Sequence, residues 1–220
     1  MLATCLMFAV SGNAPGGTME ENKLPSGAVD LGLPSGLKWA SCNVGAKAPE
    51  GYGDYFAWGG TGLQSSYAWT TCPFRTDGDW DTTVQFSKYN TLSKHGPIDN
   101  KTVLDPEDDA ARAKWGGSWR MPTDEEWIEL RTECTWTWTT RNGINGRLVT
   151  GPNGNSIFLP AAGYRYNASH SSVGDFGNYW SSSLDANDPD SAFGADFGSG
   201  NVSKGYGNRY LGRSVRPVTE

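Results

Sequence analysis

The segment from Asn178 to Pro217, near the carboxyl end of the chain, constrains the fold more than any other stretch. It places single apolar or aromatic residues among Gly, Ser, Asn, Asp, Tyr and Arg, and almost none of its residues favours a helix. This pattern predicts β-strands with polar side chains on an outer face and apolar anchors on an inner face. The predicted inner anchors are Trp180, Phe193, Phe197, Val202, Val215 and Val218.

The outer face of this segment has the composition of a recognition surface. Tyrosine supplies a large contact area at low entropic cost, and small polar residues adapt their hydrogen bonds to a partner. We therefore interpret the segment as a binding surface and the rest of the chain as its support. The candidate ligand-binding residues are Asn178, Tyr179, Asp185, Asn187, Ser191, Phe193, Gly194, Asp196, Ser203, Lys204, Tyr206, Gly207, Asn208, Tyr210, Leu211 and Arg213. The alternative is that they are ordinary solvated strand and turn positions, because single exposed aromatic residues are common.

Composition narrows the class of protein further. A chain of 220 residues is long enough to bury a core without staples, and one domain is preferred over two. Because it has 29 Gly and 10 Trp but only 19% charged residues, we expect an aromatic and irregular core. The net charge of -6 and the lack of a basic stripe argue against nucleic acid as a partner.

Residues 1–27 are predicted to be a leader or a flexible tail, and residues 28–220 a ligand-binding domain. The apolar start lacks the basic region of a signal peptide and is too short to span a bilayer. A truncated leader, a lipidated Cys5 and a disordered tail all fit it. No C-x-x-C spacing signals a zinc or redox site. A disulfide between Cys42 and Cys134 and a set of buried thiols that includes Cys72 fit equally well.

One helix is predicted just after the middle of the chain. Asp105 is the expected N-cap, Pro106 takes the first helical position, and Gly116 ends the helix. The acidic residues 107–109 suit the positive end of the helix dipole, and we prefer this explanation to a metal site.

A second helix is predicted from the capping box formed by Thr123 and Glu126, and it should bury Trp127 and Leu130. Strands are predicted before the first helix and after the second one. The order of strands, two helices and further strands indicates an α+β domain.

Two hairpins and one long loop complete the predicted elements. Strands at 28–31 and 37–42 flank a turn at 33–36, and later strands flank a turn at 151–154. Aromatic residues of the long middle segment are expected to pin it onto the body of the domain. They are Phe74, Trp80, Phe86 and Tyr89.

Several longer strings carry a resemblance to a known fold group. WGGSWRMPTDEEW, GNSIFLPAAGYRY, NYWSSS and GRSVRPV, with VDLGLPSGLKWASCNVGA and YGDYFAWGGT, resemble C-type-lectin-fold domains of gut Bacteroidetes surface proteins and their phages. That group includes formylglycine-generating enzymes and the variable proteins of diversity-generating retroelements. The resemblance runs from about Ala28 to the carboxyl terminus. It implies a C-type lectin fold with antiparallel sheets, two helices, long ordered loops and chain ends that lie close together.

In the variable proteins of this group, diversification lies between a Trp-Ser-Ser-like anchor and an S-V-R-P-V-like ending. The corresponding brackets here are 180–182 and 214–218. The resemblance therefore implies a non-catalytic receptor or adhesin domain with a diversified surface that binds a cell-surface protein or glycan. It also implies an extracellular location, on a cell surface or a phage particle. We expect no cofactor, no metal and no transmembrane segment, and the oligomeric state stays open.

Three other functions are possible for a chain of this kind, and the first is an enzyme. The oxidising enzymes of the group use a cysteine pair in the carboxyl half, and no cysteine follows Cys134 in this sequence. A serine, His170 and Asp175 lack the sequence context of a nucleophile elbow, so we expect no enzyme. A structural tip module of a pilus or phage tail is the second alternative.

The third alternative is a calcium-dependent lectin. Asp185, Asn187, Asp188 and Asp190 form an oxygen-rich loop of the kind that calcium prefers. The Glu-Pro-Asn, Gln-Pro-Asp and Trp-Asn-Asp strings of sugar-binding members of the fold do not occur in the sequence. A surface turn of Asx residues is the simpler explanation of this loop.

Overall fold

The computed structural model of the protein describes residues 27–77 and 83–220. The leader predicted before Gly27, the lipidation of Cys5 and the packing of Trp80 lie outside these residues. The α-helices in the described ranges are α1 (Ala110–Trp115) and α2 (Asp124–Glu133). The strands are β1 (Ala28–Asp30), β2 (Lys38–Ala40), β3 (Tyr55–Phe56), β4 (Arg75–Asp77), β5 (Gln85–Phe86), β6 (Thr135–Arg141), β7 (Ile144–Thr150), β8 (Ser156–Pro160), β9 (Tyr164–Tyr166), β10 (Ser169–Ser171), β11 (Gly177–Leu184), β12 (Ser191–Phe197), β13 (Val202–Asn208), β14 (Arg213–Ser214) and β15 (Val218–Thr219).

A five-stranded sheet in the order β13-β12-β11-β14-β3 contains most of the carboxyl-terminal segment. Strands β12 and β13 form a long antiparallel hairpin whose pairs include Phe193 with Tyr206. Strand β11 lies on the other side of β12, and β14 joins it in parallel. Strand β13 is therefore one edge of the sheet, and the short β3 is the other.

Smaller sheets surround this one. Strands β1, β2 and β15 form a sheet that joins the two ends of the domain, and β6, β7 and β8 form an antiparallel meander. Strands β4 and β5 pair with each other, as do β9 and β10. The described chain is thus mostly β-sheet with two helices, and the α+β class that the sequence predicts agrees with this architecture.

The hydrophobic core lies on both faces of the five-stranded sheet. One face packs against α2 and the amino-terminal strands through a cluster that includes Trp39, Trp127, Tyr179, Ala195 and Phe197. The other face packs against loops through a cluster that includes Trp58, Tyr89, Trp180, Ala192 and Val215. The prediction of one inner and one outer face is therefore wrong, because alternate side chains of the inner strands enter two different cores. Among the predicted anchors, Phe193 and Val202 are only half-buried.

The second predicted helix is confirmed together with its cap. The Glu126 backbone N–H donates to Thr123 Oγ1 at 3.3 Å, and the Thr123 N–H donates to Glu126 Oε2 at 2.8 Å. Trp127 and Leu130 are buried, as the sequence predicts. This helix packs against β11, β12 and β13 and thereby fixes one face of the central sheet.

The first predicted helix begins later than expected. A 3₁₀ turn occupies Pro106–Asp108, and α1 starts after Asp109, whose carboxylate accepts a hydrogen bond from the Arg112 N–H at 3.0 Å. The same carboxylate accepts one from the Met121 N–H at 2.7 Å. Asp105 is therefore not the cap of α1, because the contact with Met121 favours Asp109 in that role.

Both predicted hairpins are present. The Gly36 N–H donates to the Leu33 carbonyl at 2.9 Å in the first turn, and β7 pairs with β8 around the second. No disulfide occurs among the described cysteines. Cys42 is buried and its thiol contacts the Ala46 carbonyl, which fits the alternative of buried thiols.

A buried arginine holds the long middle loop onto the sheet. The Arg209 guanidinium lies 4.1 Å from the ring of Phe86 and 4.9 Å from that of Trp58. It donates hydrogen bonds to the carbonyls of Tyr89 and Pro189 at 3.1 and 3.2 Å. The expected packing of the loop is confirmed at the buried rings of Phe86 and Tyr89, and a cation completes it.

Candidate functional site

The most exposed aromatic side chain of the carboxyl-terminal segment is Tyr206, which is 71% exposed. It lies on the edge strand β13, directly opposite Phe193 on β12. The neighbouring Lys204 Nζ lies 3.4 Å from the centre of the Phe193 ring and 2.6 Å from Asp124 Oδ2 at the start of α2. Phe193, Lys204 and Tyr206 form what we name the Tyr206 patch, since cross-strand pairs place all three on the same sheet face.

A polar network occupies the opposite face of the same hairpin. Asp196 Oδ1 accepts hydrogen bonds from Asn178 Nδ2 at 2.9 Å and from Arg213 Nη1 at 3.0 Å. Ser203 Oγ donates to the Asp196 carbonyl at 3.4 Å. The Arg213 guanidinium also lies 4.5 Å from the ring of Trp180. We name Asn178, Asp196, Ser203 and Arg213 the Asp196 network.

Arg213 is almost completely buried within this network, and burial lowers the pKa of its guanidinium, partly offset by Asp196. Its Nη2 donates to the Tyr206 carbonyl at 2.8 Å. Arg213 therefore ties the strand that carries the Tyr206 patch to the centre of the sheet. Asp196, Asn178 and Ser203 are half-buried and are the members of the network that reach solvent.

Two of the predicted binding residues are glycines that the packing requires. A Cβ at Gly207 would lie 2.5 Å from Arg213 Nη2, and one at Gly194 would overlap the carbonyl oxygen of Tyr179. Both glycines are buried. Gly207 lies against the Arg213 guanidinium and Gly194 against the Tyr179 backbone, so the prediction that they lie on a displayed surface is wrong.

Tyr179 and Ser191 are also interior residues. Tyr179 is completely buried, and its hydroxyl donates to the Pro160 carbonyl at 2.9 Å. Burial raises the pKa of this hydroxyl to about 12. Ser191 is buried as well, and its hydroxyl lies 3.5 Å from Asn208 Oδ1. The expected exposure of these two side chains is therefore wrong, because the central strands are covered on both faces.

A third group lies where β13 ends. The ring of Tyr210 lies 4.6 Å from that of Trp69 and 6.0 Å from that of Tyr166. Asn208 Nδ2 lies 3.4 Å from the Tyr210 hydroxyl, and Leu211 is half-buried against the loop-side core. The sequence interpretation missed Trp69 and Tyr166 because they come from segments distant in the chain, a 3₁₀ turn and strand β9. Their only local signal is an aromatic residue among turn-forming residues.

The predicted oxygen-rich loop divides into two parts. Asp185 Oδ1 accepts a hydrogen bond from the Asn187 N–H at 3.0 Å, which is an Asx turn at the surface. Asp188 and Asp190 instead lie beside His95, and one ligand atom from each of the three falls within 4.8 Å of the others. His95 Nδ1 lies 2.8 Å from the Val84 carbonyl and 3.2 Å from Asp190 Oδ1. Burial raises the pKa of the Asp190 carboxyl.

The acidic residues before α1 face a cation of the protein itself. Lys88 Nζ lies 2.6 Å from Asp105 Oδ2 and also contacts Asp108 and Glu107. Hydrogen bonds from Lys101 and Lys88 lower the pKa of the Asp105 carboxyl. This cluster therefore stabilises the start of the helical region through ion pairs.

The described thiols and His170 give no sign of an activated nucleophile. Burial raises the pKa of Cys72 to about 12 and that of Cys134 to about 11, which keeps both thiols protonated. The ring of His170 packs against that of Tyr55, with the centres 5.2 Å apart. Among the described residues, no hydrogen bond joins His170 to Asp175 or to a serine.

Comparison with known proteins gives this chain no relative. No family model matches the sequence, and no curated protein or solved structure matches it. Of the helices in residues 27–77 and 83–220, none has the length and apolar character needed to cross a membrane. The function must therefore be inferred from the geometry of the chain itself.

Proposed function

We propose that this chain is a non-catalytic ligand-recognition domain of the C-type lectin fold, acting as a receptor or adhesin for a cell-surface protein or glycan. The Tyr206 patch is the centre of the binding surface, and Asp196, Asn208 and Tyr210 extend it around the edge of the sheet. The observation that carries the proposal is the exposure of Tyr206 on an edge strand whose backbone is held by the buried Arg213.

The arrangement of the patch suits recognition. Tyr206 presents a rigid ring that a partner can bury, and ring burial at the centre of an interface supplies much of its affinity. Lys204 adds a positive charge, which Asp124 and the face of Phe193 hold in one position. Such preorganisation reduces the entropy that binding would otherwise cost.

The bracketing strings support a diversified surface. Trp180, Ser181 and Ser182 are buried, and so are Ser214 and Val215. Between these brackets lie the exposed Lys204 and Tyr206. Substitutions at the exposed positions of the interval would therefore change the contact surface, whereas substitutions in the brackets would disturb the core. A nearly identical template repeat in the neighbouring DNA, differing at adenines, would support diversification by a retroelement.

Several features of the architecture are consistent with the proposed fold. A small sheet joins both ends of the domain, α2 packs on the central sheet, and long ordered loops cover its other face. A domain of this kind would act outside the cell, on a cell surface or on a phage particle.

Replacing Tyr206 with alanine tests the proposal. The ligand for this test is the member of a cell-surface protein or glycan array that the wild-type domain captures. We expect Tyr206→Ala to reduce binding to this ligand by at least about tenfold. Because the ring is mostly exposed, the melting temperature should change little. Array binding and differential scanning calorimetry measure the two effects.

Ile98→Ala is the matched control, since Ile98 is also an exposed apolar residue but lies outside the patch. Equal binding by the wild type and Tyr206→Ala would contradict the proposal. Self-association that depends on Tyr206, detected by size-exclusion chromatography, would instead favour the structural tip module.

A further inference from the structure

A second concave site lies at the opposite end of the β12–β13 hairpin. It is a cavity of about 420 Å³ between the turn that joins these strands, the segment before β11, and β6 with β7. The side chains that line it belong to Trp138, Asn145, Asp175, Phe176, Ser199 and Asn201. Strand β13 leaves this turn at Val202. Tyr206 lies about 13 Å further along the strand, at a rise of ~3.3 Å per residue.

A buried arginine fixes one wall of this cavity. Arg147 donates from Nε and Nη2 to the Gly198 carbonyl at 3.1 and 2.6 Å, and from Nη2 to the Ser199 and Asn201 carbonyls at 3.1 and 3.3 Å. Its Nη1 donates to the Trp136 carbonyl at 3.0 Å. The turn from Gly198 to Asn201 is therefore held by its carbonyl groups, which leaves the Ser199 and Asn201 side chains for a ligand.

The second wall is held in the same way. Asn145 Nδ2 donates to the Gly174 carbonyl at 3.0 Å, and the Gly174 N–H donates to the Ala161 carbonyl at 2.8 Å. The Gly163 N–H donates to the Phe176 carbonyl at 2.7 Å. Both walls are thus preformed, as in most small-molecule sites.

Two aromatic rings line the cavity. Phe176 is 47% exposed, and its ring rests on Gly198, where an added Cβ would lie 3.0 Å from the ring. Trp138 is half-buried, and the Arg147 guanidinium lies 5.7 Å from its ring. These rings offer flat apolar surfaces to a ligand while the turn offers polar groups.

The charges around the cavity favour a neutral ligand. Among the described residues that line it, Asp175 is the only charged one, and this carboxylate disfavours anions. The Arg147 cation lies behind the turn with no carboxylate partner among the described residues, and it disfavours ligand cations. A neutral ring with one apolar face and a rim of hydroxyls matches both the aromatic walls and the Asp175, Ser199 and Asn201 groups.

We propose that this cavity is a second binding site, which takes a neutral pyranose sugar. The sugar packs an apolar face on Phe176 and Trp138 and directs its hydroxyls to Asp175, Ser199 and Asn201. No metal ion takes part in this mode of binding. The inference does not rest on the function proposed for the Tyr206 patch.

Fluorine NMR of protein labelled with 5-fluorotryptophan tests this site. The probes are the methyl pyranosides of glucose, galactose, mannose and N-acetylglucosamine, added to the full chain without calcium. We expect at least one probe to shift the Trp138 resonance saturably at millimolar concentration. The resonance is assigned by its disappearance in Trp138→Phe. Saturation-transfer difference spectra of the sugar give a second readout that needs no assignment.

Two variants separate this site from the Tyr206 patch. Phe176→Ala should weaken sugar binding at least about tenfold, which corresponds to ~1.4 kcal/mol. Tyr206→Ala should leave it unchanged. The proposal is overturned if no probe shifts the Trp138 resonance or transfers saturation, or if Phe176→Ala binds the sugar as tightly as the wild type. If Tyr206→Ala loses array binding but still binds the sugar, the Tyr206 patch and this cavity bind their ligands independently.

Discussion

Tyr206 and Tyr179 belong to one sheet, yet the first is mostly exposed and the second is completely buried. Tyr206 lies on the edge strand β13, whereas Tyr179 lies on the central strand β11, where its ring packs against Trp127 of α2. The amino-acid type is the same, so composition predicts a tyrosine-rich segment but not which ring faces solvent. That distinction depends on contacts with residues distant in sequence.

Glycine residues also show what the sequence alone cannot predict about a single position. Gly194 and Gly207 have the composition of an adaptable binding loop, but they are glycines because neighbouring atoms occupy the space of a side chain. The sequence cannot distinguish these two reasons for a glycine, because each reduces to the absence of a Cβ.

A pair of glycine substitutions should separate these roles. Gly194→Ala forces a Cβ against the Tyr179 carbonyl, so we expect a loss of ~2–4 kcal/mol in the free energy of unfolding. Gly62→Ala is the control, since nothing lies within 4 Å of the added Cβ. Urea denaturation measures both changes. Equal stabilities for the two variants would show that Gly194 is not required by packing.

At the scale of elements, local signals predict what local contacts determine. The capping box of α2 lies within a few residues, and the sequence predicts it. The predicted start of α1 is wrong because Asp109 also accepts a hydrogen bond from the Met121 N–H. Met121 lies in the loop that separates the two helices. The long loop between β3 and α1 likewise depends on Arg209, far along the chain.

Asp99 holds a turn of that long loop together. Its carboxylate accepts hydrogen bonds from the backbone N–H groups of Tyr89, Asn90 and Lys101 at 2.8, 2.9 and 3.0 Å. Burial alone would raise the pKa of Asp99, but these hydrogen bonds outweigh burial and lower it. Because the folded-state pKa is lowered, the stabilisation is present above about pH 4 and is lost as the pH falls through the folded-state pKa.

Asp99→Asn should therefore lower the free energy of unfolding at neutral pH by about 1 kcal/mol, since Asp99 is exposed and solvent screens it. The variant should also lose less stability than the wild type on acidification. Denaturation at several acidic pH values measures this difference. Asp175→Asn is the control, because the Asp175 carboxylate accepts no hydrogen bond within the described ranges. Parallel acid profiles for the wild type and Asp99→Asn would contradict the role given to this turn.

At the scale of the whole molecule, the α+β class and the hairpins follow from the order of local patterns. The packing of the central sheet on both faces does not, because strand alternation in the segment resembles a half-exposed sheet. Loops supply the second cover, and their aromatic residues have no periodicity that would predict which surface they meet. Of the candidate site residues that the sequence predicts, five lie in the interior of the domain. These are Tyr179, Ser191, Gly194, Gly207 and Arg213.

The buried tyrosines predict how the protein responds to alkaline conditions. Burial, together with the nearby phenols of Tyr179 and Tyr52, raises the pKa of Tyr55 to about 12, and burial raises that of Tyr179 to about 12. Since both folded-state values exceed the usual value of about 10, this stabilisation is present below pH ~10 and is lost as the pH rises toward 12.

We expect the free energy of unfolding to fall through this alkaline range, with phenolate absorbance appearing together with unfolding. The free energy of unfolding of Tyr55→Phe should fall less steeply with rising pH, although this variant also loses the hydrogen bond to the Ala162 carbonyl. Urea denaturation at several alkaline pH values gives the slopes. An identical slope in the wild type and Tyr55→Phe would exclude Tyr55 as a source of the effect.

The small sheet that joins β1, β2 and β15 has a mechanical consequence. Both outer strands run antiparallel to β2, with β1 beginning opposite Ala40 and β15 ending opposite Lys38. A pull applied to the chain before β1 and after β15 would load these two ladders lengthwise, in shear. Their hydrogen bonds would then have to rupture together, so the domain would stay folded under tension that would unzip a hairpin.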